Sequence, residues 1–144
     1  MFETIKKVIH LLSEEGQTVE YIASSLGTLR DTYEAGLPTI VLPFDDFFRE
    51  VQVVPEFDTD VPAHVILELA EPGSVTMKEL KAAFGKYSVF PAMHWNRPAN
   101  AIFEVDPGEG DFTYTLLVDV QEGTRGVKNG TVTSLTVQRD IRLE

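Results

Sequence analysis

The stretch His94-Trp95-Asn96-Arg97-Pro98 sets the chain's single tryptophan beside an imidazole, an amide and a guanidinium, between Pro91 and Pro98. Prolines at both ends favour a loop, and Trp and Arg are frequent interface hot spots. The competing reading is a Trp anchored in the core, with polar neighbours that solvate a turn. His94 as a general base needs a partnered nucleophile or acid, and none stands near it in sequence. A second stretch, Pro43-Phe44-Asp45-Asp46-Phe47-Phe48-Arg49, surrounds an acidic pair with three phenylalanines. Asp45 and Asp46 would suit a basic partner if exposed. The i, i+3, i+4 spacing of Phe44, Phe47 and Phe48 predicts instead one helical turn of core packing. The candidate binding residues are therefore His94, Trp95, Arg97, Asp45 and Asp46.

Other chemistry is harder to find. Glu56, Asp58 and Asp60 alternate, and Asp106, Glu109 and Asp111 lie close together. Such carboxylates suit a hard cation only when further oxygen ligands and a closing bidentate Glu complete the loop, a pattern missing here. They read as solvated turns. His10, His64 and His94 lack ligand spacing, and there is no cysteine, so neither zinc nor a thiol nucleophile is expected. No G-x-S-x-G, G-x-x-x-x-G-K-[ST], G-x-G-x-x-G or H-E-x-x-H motif occurs. No cofactor and no metal are expected, and a binding role is favoured over catalysis.

The elements that must position these residues follow from periodicity. Phe2, Ile5, Val8, Ile9 and Leu12 share one helical face. After Gly16, Thr18 is a suitable N-cap for a second helix bearing Val19, Ile22, Ala23 and Leu26, with Gly27 as its stop. The segment Thr18–Gly27 recurs without gaps at Thr76–Gly85, where Glu79 adds a capping box. Strand-like runs follow each copy: Thr39–Leu42, Glu50–Phe57 and Ala63–Leu69, then Ala101–Val105, Phe112–Val120 and Val132–Arg139. Val65, Leu67 and Leu69 share a face, as do Ala101, Phe103 and Val105, and Phe112, Tyr114, Leu116, Val118 and Val120. Pro107-Gly108-Glu109-Gly110 and Lys128-Asn129-Gly130 are turn chemistry, the latter a hairpin signal. The chain reads as α-α-β-β-β followed by α-β-β-β.

The fold class expected is α+β, one compact domain of 144 residues with internal repeats over 1–71 and 72–142. The helices are expected on one face of a shared antiparallel sheet, and Glu71-Pro72-Gly73-Ser74 is the joint. A mixed α+β sheet without duplication is the competitor. Leu143-Glu144 reads as a cloning remnant.

Composition bounds the partners. Net charge is −11, with 14 acidic against 4 basic side chains in residues 1–72 and 9 against 8 in residues 73–144. That balance argues against nucleic acid, which needs Lys and Arg to replace counterions. It would steer a basic protein, although solubility alone also explains it. No apolar run approaches the length of a membrane helix, and Met1–Lys7 does not resemble a signal peptide. Together with the missing cysteines, this leads to the expectation of a cytoplasmic protein without membrane insertion.

The pattern Gly16-Gln17-Thr18, then Ile22, then Leu26-Gly27 resembles the helix signature of β-lactamase-inhibitor-protein-like domains, shared with small outer-membrane assembly lipoproteins. The helix over Phe2–Leu12 fits the helix-loop-helix that opens such a repeat. The resemblance implies two tandem repeats whose strands form one concave sheet gripping a protein partner. It implies a binding sheet, and inhibition of a β-lactamase does not follow from it. The function expected is a non-enzymatic protein-binding domain presenting a sheet face and loops, in its most concrete form a bacterial immunity- or inhibitor-type protein. The alternative is a small-molecule-binding or hydrolytic domain. Its pocket would lie between helices and sheet, lined by Phe and Tyr, with His94, Arg97 or Asp45 at the mouth. A third reading is an oligomerising module that pairs through exposed strand edges.

Overall fold

The computed structural model describes residues 1–90, 98–122 and 126–141. The elements in chain order are α1 (Phe2–Ser13), α2 (Val19–Leu26), β1 (Gly27–Leu29), β2 (Thr39–Pro43), β3 (Phe48–Pro55), β4 (Pro62–Leu69), α3 (Met77–Phe84), β5 (Tyr87–Phe90), β6 (Ala99–Val105), β7 (Phe112–Gln121) and β8 (Thr131–Ile141). All eight strands join one sheet in the order β1-β2-β3-β4-β8-β7-β6-β5, every neighbour antiparallel. The protein is therefore α+β, mostly sheet. Two four-stranded meanders, β1–β4 and β5–β8, meet where the last strand of one pairs with the last strand of the other. None of the described helices is long and apolar enough to cross a membrane.

Local chemistry explains where the helices begin. The Thr18 hydroxyl accepts from the Tyr21 N–H at 3.1 Å, satisfying one of the free donors in the first turn of α2. In α3 the capping box closes in both directions: Thr76 Oγ1 accepts from Glu79 N–H and Glu79 Oε1 accepts from Thr76 N–H, each at 3.2 Å. The apolar stripes land as their spacing predicts. Ile5, Val8, Leu11 and Leu12 of α1 and Val19, Ile22, Ala23 and Leu26 of α2 are buried, while α3 buries only Met77 and Leu80.

These side chains belong to one core cluster with alternate strand residues, among them Val51, Val65, Leu67, Leu116, Val118, Leu135 and Phe103. Each fully buried aliphatic side chain contributes about 1.5–3 kcal/mol. The intervening strand residues are half-buried or exposed.

Two local expectations change. Each meander has four strands rather than three, because Gly27–Leu29 and Tyr87–Phe90 also pair. Runs of three and four residues are too short to display a period of two. The turn of helix expected at Phe44–Phe48 is a hairpin turn: Asp45 Oδ1 accepts from Phe47 N–H at 3.0 Å and Asp45 O from Phe48 N–H at 3.1 Å. An Asp side chain that satisfies a nearby backbone N–H competes with helix formation. Phe48 then opens β3 and is buried, whereas Phe44 is 67% exposed. Lys128-Asn129-Gly130 does lie in a turn between the antiparallel strands β7 and β8, closed by Gly130 N–H donating to the Val127 carbonyl at 3.2 Å, although neither Asn129 nor Gly130 has a positive φ. A Cβ on Gly130 would stand 2.4 Å from Val120 Cγ1, so this glycine serves close approach.

A tie between loops holds the N-terminal end of α2. The Asp60 carbonyl accepts from Val19 N–H at 3.2 Å, and its carboxylate accepts from the Tyr33 hydroxyl. Burial, followed by this hydrogen bond and the charge of Asp60, pushes the Tyr33 pKa up to about 12. A raised pKa means that the folded state favours the neutral phenol. That stability is complete below the unfolded pKa of about 10 and is lost as pH rises from there toward 12. Tyr33→Phe is expected to cost about 1 kcal/mol at neutral pH. In denaturant titrations above about pH 10 the gap between the two proteins should narrow. A gap that widens with alkali would disprove the assignment.

Candidate functional site

His94, Trp95 and Arg97 lie outside the described residues. The acidic pair divides. Asp46 is exposed, but Asp45 is tied down: its Oδ2 accepts from Thr4 Oγ1 at 2.5 Å and its Oδ1 from Phe47 N–H. Burial raises the Asp45 carboxyl, yet the Thr4 and Phe47 hydrogen bonds more than compensate and hold it below the usual carboxylate range. Asp45 thus fastens α1 to the β2–β3 turn. The expected acidic patch reduces to Asp46.

What the strands do assemble is a face. Residues directly opposite in an antiparallel sheet point the same way, so the registers trace rows across the strands on the side away from the core residues. The middle row runs Ile40, Gln52, Ile66, Thr136, Leu117, Ile102, Ser88. Four of these seven are aliphatic, and all but the exposed Ser88 are half-buried. On one side runs the row Glu50, Glu68, Ser134, Asp119, Asn100, Phe90. Leu42, two residues beyond Ile40 on β2, stands near the other end from Phe90. These two are 52% and 61% exposed. The third row holds Val54, His64, Gln138, Thr115 and Glu104.

The acidic row is held in place by its neighbours. Glu50 and Glu68 sit directly opposite, which destabilises a strand pair unless each finds a cation. Arg30 Nη1 meets Glu50 Oε1 at 2.7 Å, and Arg49 bonds Glu68. Across the other half, Asp119 accepts from Asn100 Nδ2 at 2.6 Å and from Ser134 Oγ at 2.7 Å. Asp140 accepts from Thr115 Oγ1 at 2.6 Å and from Gln138 Nε2 at 3.0 Å. Burial pushes the His64 imidazole below its ordinary pKa, so it adds little positive charge to the face at neutral pH, and the cations there are Arg30 and Arg49, each already paired with a glutamate. Asp119 and Asp140, held by neutral donors, keep their charge and offer preorganised acceptors to a basic partner.

A separate concavity of 770 Å³ lies among α1, α3, β6 and β7, with Ile9, Phe84, Val105, Phe112 and Tyr114 on its walls. The exposed polar side chains in its lining are Lys6, His10, Ser13, Glu15, Glu109 and Asp111, and Asp45 is not among its residues. Asp45 was expected there, but it is held at the β2–β3 turn by Thr4.

Comparison with family models, with curated proteins and with solved structures found no match.

Neither the rows nor the concavity is named by any motif. One signal was present: once Val65–Leu67, Ala101–Phe103 and Leu116–Val118 are placed on the core side, Ile66, Ile102 and Leu117 must point away from it. Three large aliphatics on the outward side of alternating strands are unusual enough to mark a surface.

Proposed function

We propose that this protein is a non-catalytic protein-binding domain. The three helices cover one sheet face, and the other face takes a partner that is basic and carries an apolar patch. The observation that carries this reading is the outward row Ile40, Ile66, Leu117 and Ile102 beside Asp119, which is fixed by the neutral donors Asn100 and Ser134. An apolar strip bordered by acids fits the composition of a specific interface: aliphatics exclude water, and charges orient the partner. The two halves, each a Thr-capped helix followed by a four-stranded meander, are read as copies of one unit. That reading agrees with the resemblance to inhibitor-type domains. An immunity- or inhibitor-type role is its narrower form.

The test is affinity capture by the wild type and by Leu117→Lys and Ile66→Lys, each checked for native circular dichroism. The expected result is one protein retained by the wild type, lost from both variants, and weakened in about 0.5 M salt, where charge steering is screened. Identical recovery by wild type and variants would sink the proposal, as would recovery of no protein at all.

A further inference from the structure

Arg139 of β8 lies opposite Tyr114 of β7, on the core side of the sheet. Its Nη1 donates to the Leu12 carbonyl at the end of α1 at 3.1 Å, and its guanidinium sits 4.5 Å from the centre of the Phe112 ring. Among the described residues no carboxylate reaches it within salt-bridge distance. Acids outnumber bases 23 to 12 in this chain, and the exposed Arg30 and Arg49 both have carboxylate partners. A partly buried guanidinium without a counter-charge is costly, and it keeps donors free for an incoming anion.

Two cavities adjoin this group. The 770 Å³ concavity, which Arg139 does not itself line, supplies apolar walls from Ile9, Phe84, Val105 and Tyr114, and a smaller space of 410 Å³ is lined by Arg139 together with Glu15 and Asp60, neither of them within salt-bridge distance of it. Phe112 and Glu15 border both. The larger volume is in the range that accommodates small ligands.

We propose that this groove binds a monocarboxylic acid with a long apolar tail. The carboxylate meets Arg139 and the tail lies along Ile9, Phe84, Val105 and Tyr114. The guanidinium fork matches a carboxylate in two parallel hydrogen bonds and repels a cationic head group. Glu15, Glu109 and Asp111 in the lining of the larger cavity, and Asp60 in that of the smaller, disfavour polyanions such as nucleotides, which leaves a single negative charge as the best fit. The site lies on the helix side of the sheet and stands whether or not the outward face binds a protein.

The test is calorimetric titration of the whole protein with dodecanoate, 1-dodecanol and dodecyltrimethylammonium, each below its aggregation concentration. Dodecanoate should saturate at one per chain and bind more tightly than the other two. Arg139→Gln should weaken dodecanoate about ten- to a hundredfold and leave dodecanol unchanged. Ala83 lines the groove from an exposed position on α3, so Ala83→Trp should fold normally and block both ligands. If Arg139→Gln does not fold, the wild-type preference for dodecanoate over dodecanol and the Ala83→Trp block decide alone. Failure of dodecanoate to saturate overturns the proposal. So does equal or tighter binding of the ammonium, or an Ala83→Trp titration that matches the wild type.

Discussion

Phe103→Ala should lower stability by about 3–5 kcal/mol, read from the urea midpoint at unchanged slope. Phe103 is fully buried on β6 and is the largest of the fully buried side chains among the described residues. Its ring packs edge-on to Phe84 at 6.1 Å and against Tyr87 at 5.2 Å, and Phe84 in turn meets Phe2 at 6.0 Å. This one ring therefore couples β6 to β5, to α3 and, through Phe84, to α1. Helix α3 buries only Met77 and Leu80 besides, so removal of Phe103 takes away much of what seats it. A domain of ordinary stability has about 5–15 kcal/mol in total, so the loss is a large fraction. Phe103→Leu, which keeps most of the volume, should cost less than about 1.5 kcal/mol. An alanine variant within about 1 kcal/mol of wild type would mean that the site collapses around the cavity and the ring chain is not a support.

The second large effect is expected at Gly27→Ala. Gly27 has φ of 175°, an extended conformation open to any residue, so backbone strain is not the issue. Space is. A Cβ there would stand 2.1 Å from the carbonyl oxygen of Leu42 and 2.6 Å from Val41 Cγ1. The nearest atom is backbone in the neighbouring strand, paired with β1 through Gly27 itself, and it cannot swing aside. The added methyl must push β1 and β2 apart at the C-terminal end of α2. The expected cost is about 3 kcal/mol or more, the upper end for overpacking. Adding Val41→Ala should not restore stability, because trimming that side chain leaves the Leu42 oxygen in place. Recovery in the double variant would show that the contact is between side chains.

Gly85, its counterpart after α3, makes the comparison sharper. It has φ of 87° with open space around the Cβ position, so Gly85→Ala incurs backbone strain alone, about 1–3 kcal/mol. The sequence aligns these two glycines as identical stops. The structure gives them different duties: one admits a neighbouring strand, the other turns the chain. Both duties select the same residue, and a one-letter code does not separate them.

Much of the rest was legible for a definable reason. Helix faces and strand faces repeat at fixed periods, and caps depend on residues three apart, so Thr18, Thr76 and Glu79 mark their helices within the sequence itself. The six longer strands were visible as strand-like runs, three of them with a clearly alternating face. The edge strands at Gly27–Leu29 and Tyr87–Phe90 were not, because three or four residues carry too little pattern. The Phe44-Phe47-Phe48 spacing misled for the opposite reason: it satisfied a helical period by chance, and the Asp45 side chain selected the turn. Of the candidate binding residues, Asp45 is engaged by Thr4, a contact 41 positions away along the chain. The groove residue Arg139 carried no local signal at all, since its isolation from every described carboxylate is a property of folded geometry.

The sequence alone determined the α+β class, the two capped helices at Thr18 and Thr76, the inward faces of the long strands and the acidic charge. Each of these depends on residues close together along the chain, or on simple counting. Only the tertiary structure decided that β4 pairs with β8. That pairing joins the two meanders, aligns Ile66 with Thr136 and Leu117, and so assembles one outward row from both halves. It also brings the end of α1 over Arg139, 127 positions from Leu12. Strand order and long-range approach are set by which surfaces bury each other best, a global comparison that no short stretch of sequence contains.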